Sequence, residues 1–317
     1  MILAVRALDT SPTTLSHAGS ESSQLSNVWW IMFGLAIVVY LVVGGLIILA
    51  SVRGRHRDDP IDGPNRLDDY FIWIGGLIVP ALILLFIAFL TVHTGAALRT
   101  PQKNELNITV VGEQWWWRVS YPGTNVETAN EIHVPVGQPL AIAVLSDNVI
   151  HSFWVPQLAG KEDMIPGQRN VLRFTVRKAG TYRGQCAEFC GVQHAKMAFT
   201  VIAQSPGEYQ IWLQHEEQIA AVPQSELAAR GELALTTAAC AGCHTVRNTD
   251  AKGTRGPDLS DMGSRATIGA GTLENTPGNL RAWIKSPGHF KPGVLMPPAT
   301  ISSDDVQAIA AYLEELK

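Results

Sequence analysis

Two short stretches of this chain hold most of the residues that could bind a metal. In the first, Cys186-Ala-Glu-Phe-Cys190-Gly-Val-Gln-His194-Ala-Lys-Met197, two thiols, an imidazole and a thioether fall within twelve residues. Thiolate and thioether are soft donors, and together they select copper over harder ions. Structural zinc suits the stretch less well, because it commonly takes a two-residue gap between cysteines and has no use for methionine. A single blue copper needs one cysteine, whereas two cysteines suit two coppers bridged by both sulfurs. A second imidazole must come from elsewhere. His151, in Asp147-Asn148-Val149-Ile150-His151-Ser152-Phe153-Trp154, is the candidate, placed where a strand gives way to irregular chain.

The second stretch, Cys240-Ala-Gly-Cys243-His244, has the spacing of a c-type haem attachment site. Two thioethers would hold the porphyrin and the adjacent histidine would bind iron. A methionine ligand should follow near the end of the domain. Met296, in Val294-Leu295-Met296-Pro297-Pro298, fits, and Met262, eighteen residues after His244, is the rival. The two motifs use all four cysteines of the chain. Disulfides are the plainer reading for an extracytoplasmic protein, but close pairs with a histidine just downstream point to metal and haem chemistry.

The elements that must position these residues change character along the chain. Residues 1–27 are polar and read as an extracytoplasmic tail; the apolar run after Met1 is short and broken by Arg6, unlike a signal peptide. Residues 28–51 carry no charge, and residues 70–98 carry none besides His93. At ~1.5 Å per residue each spans a hydrocarbon core of ~30 Å. Trp29 and Trp30 mark one end, and Tyr70, Phe71 and Trp73 mark another, as interfacial aromatics do. A transmembrane helical hairpin is therefore expected over 28–98, with helices at about 28–52 and 70–98. The loop 53–69 holds Arg53, Arg55, Arg57 and Arg66, which places it in the cytoplasm and both termini outside.

From about residue 105 to 203 the pattern has period two: Leu106, Ile108 and Val110, then Leu172, Phe174 and Val176, then Met197, Phe199 and Val201. Turn signals such as Tyr121-Pro122-Gly123 and Ile165-Pro166-Gly167 separate the runs, which predicts an all-β sandwich within residues 99–215. Residues 216–317 read as a linker, marked by Pro223, and a small all-α domain. Its last helix is capped near Ser302 or Ser303, with Asp304 and Asp305 in the first turn. The charged fraction is 16%, against about 25% in soluble domains, and the net charge is −4. No basic face suggests nucleic acid.

The helix pair, the sandwich and the Cys186–Met197 stretch, in that order over roughly residues 25–215, resemble subunit II of cytochrome c oxidase. The C-terminal domain resembles class I cytochromes c, in Cys240-Ala-Gly-Cys243-His244 and in Gly256-Pro257-Asp258-Leu259, where a Pro carbonyl orients the haem histidine. The resemblance implies a multidomain membrane protein with a cupredoxin sandwich and a dinuclear copper (CuA) centre. Cys186 and Cys190 would bridge both coppers, His151 and Met197 would complete one, and His194 with the Glu188 carbonyl the other. The Glu188 side chain would reach a magnesium ion shared with catalytic subunit I. In Gln114-Trp115-Trp116-Trp117, Trp115 would receive electrons at a surface facing the donor, while Trp117 packs the sandwich. Two departures stand out: Asn148 replaces an acidic residue common in the family, and Asp68 and Asp69 sit at altered spacing before the second helix, as loop charges.

The expected function is electron transfer in the bacterial cytoplasmic membrane, in a multi-pass protein with its copper and haem domains outside. Electrons would pass from an external cytochrome c or bc-type complex through covalent haem c and the copper pair to subunit I, beside other membrane subunits. Oxygen would be reduced there. The alternatives are the electron-input subunit of a nitric oxide reductase, which the helix pair and Glu188 disfavour, and a membrane-tethered carrier without an enzyme partner.

Overall fold

The structure is a computed structural model that describes residues 13–54, 69–218 and 222–317. Arg55, Arg57, Arg66 and Asp68, most of the expected cytoplasmic loop and residues 1–12 of the tail lie outside the described residues. The chain divides into two units, one of Ser23–Thr100 and one joining the residues up to Ser22 to Pro101–Lys317.

The first unit holds two long apolar helices. Helix α1 runs Ser20–Gly54, and a π-helical segment Phe71–Ile78 continues into α2, Val79–Arg99. Their most apolar windows average hydropathy 2.8 and 2.7, with none of either window buried. Apolar helices left uncovered on every side are stable in lipid rather than water. Pro80 has no amide hydrogen, and the turns before it, with Gly75 and Gly76, widen so that Val79 N bonds to Ile74 O.

Helix α1 starts at Ser20, where a tail to residue 27 was expected. The cause is tertiary. Ala18 N and Gly19 N donate to Gln157 O, Ser22 Oγ donates to the same carbonyl, and Gly19 bridges to Val176. These bonds pin the chain to the sandwich and let the polar run Ser20–Gln24 join the helix.

The sandwich has two five-stranded sheets. The first is ordered β3-β2-β1-β5-β8, from β1 Leu106–Glu113, β2 Trp116–Ser120, β3 Glu127–Ala129, β5 Pro139–Ser146 and β8 Asn170–Thr175. The second is ordered β4-β10-β9-β6-β7, from β4 Glu131–Pro135, β6 His151–Trp154, β7 Glu162–Met164, β9 Gly180–Cys186 and β10 Ala198–Gln204. Two pairings, β1 with β5 and β4 with β10, are parallel. Alternating residues face inward, as in Ile108 and Val110 on β1 and Leu172 and Phe174 on β8. Trp117 is wholly buried at the centre, its ring 4.9 Å from Phe199, 6.0 Å from Phe153 and 6.2 Å from His151.

Helix α3, Pro206–Gln218, follows the last strand, and Trp212 on it stacks on half-buried His133 at 4.2 Å. In the C-terminal domain, α4 (Glu226–Thr237) crosses α6 (Ser303–Glu315), with α5 (Pro277–Lys285) packed beside them. The crossing is close: a Cβ added at Gly231 would stand 2.0 Å from Ala308 O. Ser302 caps α6 as the sequence suggests, its Oγ accepting from Asp305 N at 3.1 Å. Tyr312 and Leu313 are buried against the rest of the domain.

Candidate metal and haem sites

Three elements bring the copper candidates together. Strand β9 ends at Cys186, the loop behind it carries Glu188, Cys190 and His194, and Met197 precedes β10. His151 opens β6, the neighbour of β9, so it begins a strand instead of trailing one. Cys186 Sγ lies 3.8 Å from Cys190 Sγ, 3.8 Å from His151 Nδ1 and 3.2 Å from Glu188 O. Cys190 Sγ lies 3.6 Å from His194 Nδ1 and 3.7 Å from Met197 Sδ. Six donor atoms thus converge from the residues singled out in the sequence.

The arrangement fits soft cations better than a disulfide. A disulfide would bring the sulfurs to about 2.05 Å, but here they stand apart, each with its own imidazole. Contact with Cys190 holds the Cys186 thiol well below the usual thiol range. The neighbouring thiolate and burial push Cys190 up, because two adjacent anions repel. Both sulfurs can be thiolates together only if positive charge lies between them.

The imidazoles are also prepared. His151 is fully buried, and its Nε2 donates to Asn148 Oδ1 at 3.1 Å, which leaves the Nδ1 lone pair for the sulfur side. Val149 N donates to the same Asn148 oxygen at 2.8 Å, fixing the amide's orientation. Metal-binding histidines usually donate their other nitrogen to such a partner. Asn148 therefore has a positioning contact that its reading as a lost acidic residue did not anticipate. Gly112 on β1 leaves the space for the ring: a Cβ there would come within 2.8 Å of His151 Cδ2.

The other copper-site contacts concern the backbone and the rim. Trp115 Nε1 and Gln114 Nε2 each donate to Cys190 O at 2.9 Å. Trp115 is 7% exposed, so it lies within the structure and not on an open surface. Gly191 permits this approach: its φ is +117°, and a Cβ would stand 3.1 Å from the indole. The Glu188 carboxylate faces outward, 3.7 Å from Lys161 Nζ.

The haem candidates occupy the start of the C-terminal domain. Cys240 and Cys243 sit on a tight turn where Cys243 N and His244 N both donate to Cys240 O. His244 Nδ1 donates to Pro257 O at 2.8 Å, so the lone pair is on Nε2. Burial, the largest cause, lowers the His244 pKa and keeps the ring neutral, as an iron ligand must be. Gly256 lies against that ring, where a Cβ would stand 2.6 Å from Cε1. Met296 is half-buried on the loop before α6, while Met262 is packed in the helical core at 5% exposure. Two cysteines beside a fixed, neutral imidazole suit a covalently attached haem.

The two domains meet along a polar seam that the sequence did not reveal. Thr128 Oγ1 donates to Asp261 Oδ2 at 2.6 Å, Ala266 N to Glu131 Oε1 at 2.8 Å, and Arg265 pairs with Asp261. Arg118, paired with Glu113 and Glu127, donates to Thr254 O at 2.7 Å. Lys291 is 1% exposed, and burial pushes its ammonium down to about 7. None of these residues carries a motif; each matters only through a neighbour far away in sequence.

Comparison with known proteins agrees with this architecture. The family described as cytochrome c oxidase subunit II, periplasmic domain, matches residues 122–204, and the cytochrome c family matches residues 228–317. A cytochrome c oxidase subunit 2 of Alkalihalophilus pseudofirmus is 34% identical over 296 residues, covering 90% of this chain and 84% of the relative. The cytochrome c oxidase subunit 2 of Bacillus subtilis is 29% identical, covering 86% and 81%. Among solved structures, the periplasmic domain of subunit II of cytochrome oxidase from Bradyrhizobium japonicum is 30% identical, covering 38% of this chain and 98% of that one, with a TM-score of 0.36. With similarity extending over nine-tenths of its length, the chain belongs to the cytochrome c oxidase subunit 2 family.

Proposed function

We propose that this chain is the electron-input subunit of a haem–copper terminal oxidase. Covalent haem c and a dinuclear copper centre would supply one-electron chemistry between an external cytochrome c or bc-type complex and catalytic subunit I, which reduces oxygen to water. The observation that carries this reading is the convergence of two thiol sulfurs 3.8 Å apart with two imidazoles, a thioether and the Glu188 carbonyl.

In this reading Cys186 and Cys190 would hold the two metal ions together, His151 and Met197 would serve one, and His194 with the Glu188 carbonyl would serve the other. The Glu188 side chain would reach magnesium at the boundary with subunit I. Cys240 and Cys243 would attach the haem, and His244 and Met296 would be the ligands to its iron. His/Met ligation raises an iron potential, as suits a donor to copper.

The chain's own residues set the conditions. Trp117, Phe153 and Phe199 pack behind His151 and hold the sandwich rigid. Asn148 keeps His151 Nδ1 directed at the sulfurs. A scaffold that need not move between oxidised and reduced states favours fast transfer at small driving force. Trp115, bonded to Cys190 O, would couple the copper loop to its surroundings. Residues 28–98 would anchor the subunit in the bacterial cytoplasmic membrane, with 99–215 and 216–317 outside as copper and haem domains. The support is two uncovered helices of 35 and 29 residues, enough to cross.

The test is oxygen uptake by the chain assembled with its catalytic subunit and supplied with a reduced c-type cytochrome. Cys186→Ser and His244→Ala should each abolish uptake while assembly persists. Full uptake by Cys186→Ser would remove the copper centre from the route.

A further inference from the structure

Lys291 lies in the seam between the sandwich and the C-terminal domain. Lysine almost never leaves water completely unless its ammonium is paired, yet Lys291 is 1% exposed. Its Nζ donates to Trp115 O at 2.7 Å and to Gly269 O at 3.1 Å. One carbonyl belongs to the sandwich and the other to the C-terminal domain, so a single buried side chain ties the two together. Removing it would leave the buried Trp115 carbonyl without this donor, whereas Gly269 O would keep Thr272 Oγ1 at 2.6 Å.

The contact continues directly to the metal loop. Trp115, whose carbonyl receives Lys291, donates its indole hydrogen to Cys190 O at 2.9 Å. Lys196 Nζ donates to Phe290 O at 2.5 Å, and Gln193 donates to Pro292 O. The segment 290–293 is thus fastened to the copper loop, and three residues further on it reaches Met296.

We infer that Lys291 is a positioning residue that seats the haem-bearing domain on the copper loop through Trp115, fixing the separation of the two redox sites. The inference rests on the electron-input reading of those sites. Electron transfer weakens steeply with distance, so a seated domain gives one fast phase and a loose one gives slower, mixed phases. The seat uses the Trp115 carbonyl, and the Trp115 ring is buried against Cys190 and Gly191. Reduction from outside therefore goes to the haem and not to Trp115.

The test uses the full chain with Lys291→Met, which keeps the length of the side chain but removes its donors, and Lys291→Arg, which restores donors. Haem and copper contents and both midpoint potentials are measured first. Hydrogen exchange over residues 112–118 is then followed in the metal-free chain, and haem-to-copper transfer after photoinjection in the loaded one. In Lys291→Met both sites load with unchanged potentials, exchange rises about tenfold or more, and transfer slows about tenfold or splits into several phases; Lys291→Arg recovers much of both. Unchanged exchange and a single wild-type phase in Lys291→Met would overturn the role of Lys291. Failure of the wild-type chain to load copper or haem would instead remove the electron-input reading. If Lys291→Met does not fold, Lys196→Met, at the exposed edge of the same seam, should loosen exchange and slow transfer in the same direction, and wild-type behaviour there would overturn the seat.

Discussion

Replacing Gly112 by alanine tests whether His151 is held where a copper ligand must be. Gly112 lies in β1, opposite Trp117 of β2 and Ser146 of β5, so alanine suits the backbone and the effect comes from its methyl group alone. That carbon would stand 2.8 Å from His151 Cδ2, 3.0 Å from Cγ and 3.3 Å from Cβ. Ordinary contact begins near 3.4 Å, so the imidazole must retreat by roughly 0.6 Å. Metal–ligand distances tolerate only about 0.2 Å. The ring has little freedom, being fully buried, bonded to Asn148 and packed beside Trp117. Overpacking of this size costs about 1–3 kcal/mol, which the sandwich should survive. Gly112→Ala should therefore keep its circular dichroism spectrum but lose copper, or hold it with the unpaired electron localised on one ion. Gly207→Ala, with nothing within 4 Å of the new carbon, is the control. A Gly112→Ala chain with wild-type copper content and a shared-electron spectrum would refute the account of His151.

Three further outcomes follow from the same geometry. Met296→Ala should retain attached haem but lose the optical signature of His/Met ligation; loss of that signature in Met262→Ala instead would exchange the two assignments. Gly231→Ala should destabilise the C-terminal domain by about 2 kcal/mol in thermal unfolding, since overpacking against Ala308 outweighs the gain in helix propensity; an unchanged melting point would mean the α4–α6 crossing is looser than described. Burial raises the Glu131 carboxyl from 4.5 to about 7, so the folded state binds its proton more tightly than the unfolded state. Its contribution to stability is complete below pH 4.5 and is lost as pH rises through 7. Glu131→Gln keeps an oxygen for Ala266 N and should gain on the wild type from about zero at pH 4.5 to about 3 kcal/mol above pH 7; a gain independent of pH would discount the titration of Glu131.

The sequence was most readable where chemistry is local. The twelve residues from Cys186 to Met197 are gathered by one loop, and Cys240 to His244 by one turn, so spacing alone carried both motifs. Charge-free runs located the apolar helices, because excluding charge from some twenty consecutive residues has few other causes. The start of α1 at Ser20 was missed because it depends on Gln157 and Val176 in the sandwich. Asn148 read as a missing charge, and only the fold reveals its oxygen beside His151 Nε2. Nothing local in the sequence marks Lys291, since its partners lie 176 and 22 residues away. Contacts of that range leave no periodicity or motif behind.

The central claim is a copper pair held by both thiolates. The most direct measurement is metal content together with electron paramagnetic resonance on the full chain. About two coppers and about one haem iron per chain are expected, with one unpaired electron shared equally over both copper nuclei. A single localised copper, or zinc in its place, would contradict it.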